Sequence, residues 1–210
     1  MIELLRAAHE ASRLLQQAQV AHCVIGGLAA TYWGEVRTTT DIDLTVWSGF
    51  GREAATVDVL LTIFQPRIPE ARAHALAHRV LLGVLPPDFN VDIGLGGFPY
   101  EEGVLARSRL VEPIPGLFLP LVSPEDLIIQ KVFAGRGHDW RDVVSVIVRQ
   151  RSHLDWAIVE EHLPPLLELL EQPDRYDQLI ALRDAVNAAG DNFPLTPDDL
   201  KLLAEPDRPD

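Results

Sequence analysis

Two aspartates one residue apart, Asp41 and Asp43, follow the polar loop Arg37-Thr38-Thr39-Thr40. Side chains of an extended chain alternate between faces, so Asp41 and Asp43 share one face while Ile42 and Leu44 turn to the core. Carboxylates held that close repel each other, and a divalent cation relieves the repulsion. Mg²⁺ takes one or two carboxylates and completes its shell with waters and phosphate oxygens. Alone, Asp-x-Asp reads as an exposed strand face near a turn. Its surroundings favour chemistry. Gly26-Gly27 follow the apolar run 20–25. A glycine pair after a strand lets the backbone approach a phosphate at the N-terminus of the next helix. A third acid, Asp92, lies between Val91 and Ile93 in an otherwise apolar run, where a carboxylate needs a partner or a metal. Asp41, Asp43 and Asp92 are therefore expected to converge as catalytic and metal-binding acids for Mg²⁺ or Mn²⁺. Three such carboxylates can hold a pair of ions, one activating an attacking hydroxyl and the other bound to a triphosphate.

Lys131 stands out in a chain whose only other lysine is Lys201, because it lies on the apolar helix face of Leu127, Ile128 and Val132. Its ammonium suits a triphosphate as a point charge; a surface lysine whose stem covers apolar neighbours is the alternative. Asp139 and Asp142 open the next helical segment. Capping accounts for both, with Asp139 as N-cap and Asp142 in the first turn. His74 and His78 are four residues apart but lack the Glu of a zinc protease motif, and read as surface residues. Cys23 reads as core, and Trp140 and Trp156 as packing.

These residues need elements to position them. Apolar periodicity predicts a helix over 2–19, a buried strand over 20–25, a short helix over 28–33 and a strand over 41–47. A helix over 52–64, a loop between Pro66 and Pro69 and a short helix over 70–77 come next. Strands over 79–85 and 89–95 are joined by Pro86-Pro87-Asp88 as a hairpin. A helix over 100–107 and strands over 110–114 and 117–122 complete this half. Ser123-Pro124-Glu125-Asp126 is a strong helix start, for a helix to about residue 134. Further helices are expected over 138–150, 155–171 with an interruption at Pro164-Pro165, 175–189, and from Thr196. The organisation is an α+β fold: an α/β core over 1–122 with a small mixed sheet flanked by helices, a helical region over 123–204, and a disordered tail over 205–210.

Composition is that of a globular protein, 47% hydrophobic and 23% charged, with a formal net charge of −13. That acidity repels nucleic acid and membrane at long range, so an RNA partner would need a local arginine patch. A cationic substrate, or an anionic one carried with a divalent metal, is tolerated. One cysteine excludes an intrachain disulfide. With no signal-like or membrane-spanning stretch, a cytoplasmic protein is expected.

The segment VIGGLAATYWGEVRTTTDIDLTV resembles the signature of the nucleotidyltransferase superfamily with a polymerase-beta-like core. More narrowly it is similar to the AbiEii-like toxin branch, which includes MenT-type tRNA-modifying toxins. The segment SPEDLIIQKVFAGRGHDWRDVVSVI resembles the same branch, and Asp92 in FNVDIGLG matches its third strand acid. Many superfamily members have Gly-Ser where this chain has Gly26-Gly27. The resemblance implies that Asp41 and Asp43 bind metal and Asp92 completes the triad. It implies that Gly26 and Gly27 seat the triphosphate, and that Lys131 contacts phosphates with Asp139 or Asp142 in support. Arg37 and Thr40 are placed with the nucleotide. The implied activity moves a nucleotide from an NTP to an acceptor hydroxyl and releases pyrophosphate. The implied acceptor is tRNA, in a toxin–antitoxin system with a cognate antitoxin protein as partner. The residues themselves leave other acceptors open, a protein side chain or a cationic antibiotic of the aminoglycoside kind, and also a non-catalytic binding protein of the same fold.

Overall fold

A computed structural model of the chain describes residues 1–190. Within them the chain forms two compact units, Met1–Ala29 with Arg37–Ser123, and Ala30–Val36 with the helices from Pro124 onward. The expected helix from Thr196 and the tail over 205–210 lie outside the described residues.

The first unit is a mixed sheet of seven strands in the order β3-β4-β5-β2-β1-β7-β6. Its central strands are β1 (His22–Val24), β2 (Ile42–Trp47) and β5 (Phe89–Gly96). β4 (Val80–Leu85) pairs antiparallel with β5 through the Pro86-Pro87-Asp88 hairpin. On the far side, β7 (Leu117–Leu121) pairs parallel with β1, and β6 (Arg109–Ile114) forms that edge. The opposite edge is a two-residue strand, β3 (Gln65–Pro66), in the segment expected to be a loop. A proline is admissible there because an edge strand needs no donor on its outer side.

Alternation gives the sheet a closed face. Ile42, Leu44, Val91, Ile93 and Leu81 are fully buried and neighbour one another across β2, β5 and β4. α3 (Glu53–Ile63) and α4 (Ala71–His78) pack along β4, and α1 (Ile2–Gln17) packs on β1 and β7. α1 buries the stripe Leu4, Ala8, Ala11 and Leu15, a helical repeat of three and four residues. It stops two residues short of expectation because Gln19 turns left-handed at φ 57°, and Val20 N–H returns to Leu15 O at 2.9 Å. α5 (Pro99–Arg107) lies near β2.

α2 (Gly26–Trp33) begins at the glycines themselves, two residues earlier than its apolar pattern suggested. Its first residues belong to the first unit and its last to the second.

The second unit is helical: α6 (Pro124–Ala134), α7 (Gly137–Gln150), a single 3₁₀ turn (Arg151–His153), α8 (Trp156–Leu169) and α9 (Asp174–Ala189). α8 runs through Pro164-Pro165, where the sequence suggested a break. The prolines remove two donors, but the buried stripe Val159, Leu163 and Leu167 holds the helix to its neighbours, and Asp155 caps its start through Ala157 N–H at 3.1 Å. Arg175 caps the end of α6 by donating to Phe133 O at 2.7 Å. Gln150 and Arg149 of α7 do the same for α2 at Trp33 O and Gly34 O, each at 2.7 Å. Among the described residues no helix is long and apolar enough to cross a membrane.

Candidate functional site

The parallel register of β2 and β5 is Ile42 to Val91, Asp43 to Asp92 and Leu44 to Ile93. Residues opposite each other in register share a face, so Asp43 and Asp92 stand side by side, away from the closed core. One step upstream, Asp41 faces Asn90, and Asn90 Nδ2 donates to Asp41 Oδ1 at 3.1 Å. Asp41, Asn90, Asp43 and Asp92 thus form a two-by-two patch, and all four are partly exposed. The spacing that puts Asp41 and Asp43 on one face is repeated by Asn90 and Asp92, and that repeat is the signal in the sequence for Asn90.

Asp43 is tied to the glycine pair. Its Oδ2 accepts Gly27 N–H at 3.2 Å, at the positive end of α2. Gly26 takes φ 63°, and a Cβ there would overlap the Asp43 carboxylate. A Cβ on Gly27 would overlap the Thr39 hydroxyl. Both glycines are therefore accounted for by the close approach of the chain's own side chains, with Asp43 in the position first expected for a phosphate. Gly27 N–H is engaged rather than open.

Asp92 holds a buried carboxylate oxygen beside an arginine. Its Oδ1 is 2.6 Å from Arg67 Nη2, yet that buried oxygen receives no properly directed hydrogen bond. The contact is one of charge and proximity. Among the described residues no three carboxylate, imidazole or thiol groups stand close enough to cage a metal ion unaided. The patch instead matches the hard-oxygen donor set of Mg²⁺ or Mn²⁺, ions that take one or two carboxylates and draw their remaining ligands from substrate and water. The under-bonded Asp92 Oδ1 is a fitting ligand atom.

Arg37 is partly exposed and donates to Thr38 O at 3.3 Å. Thr40 is exposed immediately before Asp41.

The other predicted residues belong to the second unit. Lys131 is only 8% exposed, which removes the surface-lysine reading. Its Nζ lies 2.8 Å from Asp139 Oδ1 and 2.8 Å from Asp142 Oδ2. Arg136 Nε adds a 2.7 Å bond to Asp139 Oδ2. Burial pushes the Asp139 carboxyl up, but hydrogen bonds and charge from Arg136 and Lys131 outweigh it and hold the group below the usual carboxylate range. Asp139 does not cap α7: the helix begins at Gly137 after Arg136, and the Asp139 side chain turns inward to the two cations.

The remaining side chains are simpler. His74 and His78 lie against each other on α4, with ring centroids 4.5 Å apart and planes tilted by 40°. Cys23 is buried, as is Trp140, and Arg183 lies over the Trp156 ring at 5.2 Å.

No family model matches the chain, and no curated protein matches it. Among solved structures it is similar to an antigenic nucleotidyltransferase-like protein from Paracoccidioides brasiliensis, with a TM-score of 0.49, 17% identity, and coverage of 86% of this chain and 94% of that one. It is also similar to the antibiotic-resistance factor ANT(2'')-Ia, with a TM-score of 0.44, 14% identity, and coverage of 89% and 92%. At these identities the role of no residue is transferred from either structure.

Proposed function

We propose that this chain is a divalent-cation-dependent nucleotidyltransferase whose site is the patch of Asp41, Asp43 and Asp92. The observation that carries the reading is the register that sets Asp43 beside Asp92 at the N-terminus of α2. In the reaction, an acceptor hydroxyl oxygen bonds to the α-phosphorus of an NTP. The bond from that phosphorus to the bridging oxygen breaks, pyrophosphate leaves, and the hydroxyl proton passes to a carboxylate of the patch or to water. Bound Mg²⁺ or Mn²⁺ would supply charge neutralisation for the triphosphate and a lowered pKa for the hydroxyl. Asp43 and Asp92, register partners on β2 and β5, would hold it, with Asp41 beside them to take part through a bound water or a second ion. Gly26 and Gly27 would act by admitting the Asp43 carboxylate to the start of α2, with Arg37 and Thr40 on the adjoining loop reaching the phosphates. Lys131 and Asp142 are assigned to the fold of the second unit in this reading, because each already has a buried partner of opposite charge.

The acceptor is proposed from two sources. Resemblance to the AbiEii-like toxins points to tRNA, with a cognate antitoxin as protein partner. The net charge of −13 favours a cationic small molecule instead. Incubating the full chain with α-labelled NTPs and Mg²⁺, against total RNA, cell extract and an aminoglycoside in parallel, tests both. Label in tRNA supports the toxin reading, and label in the aminoglycoside supports the cationic one. Label in none of the three with any NTP would overturn the enzyme reading in favour of a binding protein.

A further inference from the structure

The row of residues crossing the sheet at Asp92 begins with an arginine. β3 is extended past Pro66 by Arg67 N–H, which donates to Leu82 O at 3.0 Å. Leu82 is the register partner of Asp92, and Asp92 is the partner of Asp43. Arg67, Leu82, Asp92 and Asp43 therefore stand abreast on four consecutive strands. Adjacent strands are about 4.8 Å apart, so the long Arg67 side chain spans Leu82 to reach Asp92.

That contact has the properties of a replaceable one. Nη2 is 2.6 Å from Asp92 Oδ1, but Oδ1 is buried and lacks a directed hydrogen bond. The side chains are 26% and 35% exposed, so the pair stands at the border of solvent and its attraction is partly screened. Arg67 is thus a weakly held cation on the carboxylate oxygen best suited to a metal ion. Resting on the cation site proposed above, we propose that Arg67 is the counter-cation of Asp92 in the metal-free protein. The divalent ion displaces it from Oδ1, and the displacement sets the affinity of the patch for that ion. Two cations at one carboxylate oxygen repel each other, and a guanidinium left nearby still repels the ion. Removing the charge of Arg67 therefore tightens metal binding, whereas a residue that merely orients Asp92 would weaken it when lost.

The test is Mn²⁺ titration of the full chain, followed by electron paramagnetic resonance without nucleotide. It compares wild type, Arg67→Gln, Arg67→Lys, Asp92→Asn and the double variant Arg67→Gln/Asp92→Asn. Arg67→Met repeats the test should the glutamine variant not fold. Arg67→Gln is expected to tighten Mn²⁺ about three- to fivefold, the range of a screened ion pair. Arg67→Lys should stay within about twofold of wild type because it keeps the charge. The gain should vanish in the Asp92→Asn background, as a pairwise effect must. If Asp92→Asn weakens Mn²⁺ binding but Arg67→Gln leaves it unchanged or weaker, the displacement inference is overturned and the cation site stands. If wild type binds no Mn²⁺, or Asp92→Asn changes nothing, the site itself falls and the inference with it.

Discussion

The molecule holds its aspartates in two contrasting ways. In the second unit, Asp139 and Asp142 enclose Lys131, and the three are 8% exposed or less. In the first unit, Asp41, Asp43 and Asp92 lie on a partly open sheet face, served by an amide at Asp41, a 3.2 Å backbone donor at Asp43 and an ill-aimed guanidinium at Asp92. A buried, matched cluster has no capacity left for a ligand, and its worth lies in not being broken. An open cluster with an under-bonded oxygen still has coordination to offer. Aspartate pairs thus differ in role according to whether the fold finishes their bonding or leaves it to something else.

The largest effect expected from that contrast is on stability in the second unit. Lys131→Met leaves Asp139 and Asp142 buried without their shared cation and should cost about 3–5 kcal/mol, read by urea unfolding. Arg136 remains on Asp139, so a cost at the lower end of that range is consistent. A variant as stable as wild type would show that the cluster is solvated and would erase the contrast. Next in size is Gly26→Ala. It forces a Cβ against the Asp43 carboxylate at φ 63° and should cost about 1–3 kcal/mol. It should also weaken Mg²⁺–NTP binding, because the carboxylate must move. Loss of stability with unchanged nucleotide affinity would detach the glycine from the site.

A smaller effect depends on pH. His22 Nδ1–H donates to Val20 O at 2.8 Å, leaving Nε2 to accept from Ser12 Oγ at 2.6 Å. Burial penalises the charged ring and holds His22 below the ordinary imidazole value, with the Val20 bond opposing it in part. The unfolded chain exposes an imidazole of pKa about 6.5. Between that value and the lower folded one, the unfolded state takes up a proton that the folded state does not. The contribution is therefore complete above about pH 6.5 and is lost on acidification, by at most about 1.4 kcal/mol per pH unit. Comparing the pH slope of unfolding in wild type and His22→Gln between pH 7 and 5 checks it; the variant should have the shallower slope.

The strands that carry the acids were legible because period-two alternation in DIDLTV and NVDIGL is strong and each run ends in turn residues. The start at Ser123-Pro124 and the hairpin at Pro86-Pro87-Asp88 were legible from local turn and cap chemistry. What stayed hidden is non-local. Arg67 lies between Pro66 and Pro69 and reads as loop, and nothing along the chain says that it crosses Leu82 to Asp92. The glycines read as a phosphate loop because sequence cannot reveal that Asp43 and Thr39 fill the space beside them. Lys131 stands out in the sequence by its rarity, but its burial between two aspartates depends on how α6 meets α7.

The open acidic patch is proposed to bind a metal–nucleotide pair. Thermal unfolding of wild type and Asp43→Asn, each with EDTA, with Mg²⁺ alone and with Mg²⁺ plus each NTP, tests it most directly. Asparagine preserves the acceptor for Gly27 N–H, so the two proteins should melt together in EDTA. Wild type should gain stability with Mg²⁺ and one or more NTPs, by about 2.7 kcal/mol at a hundredfold excess over Kd, and Asp43→Asn should gain little. An equal gain in both proteins, or no gain in wild type with any NTP, would mean that the patch is not a metal–nucleotide site.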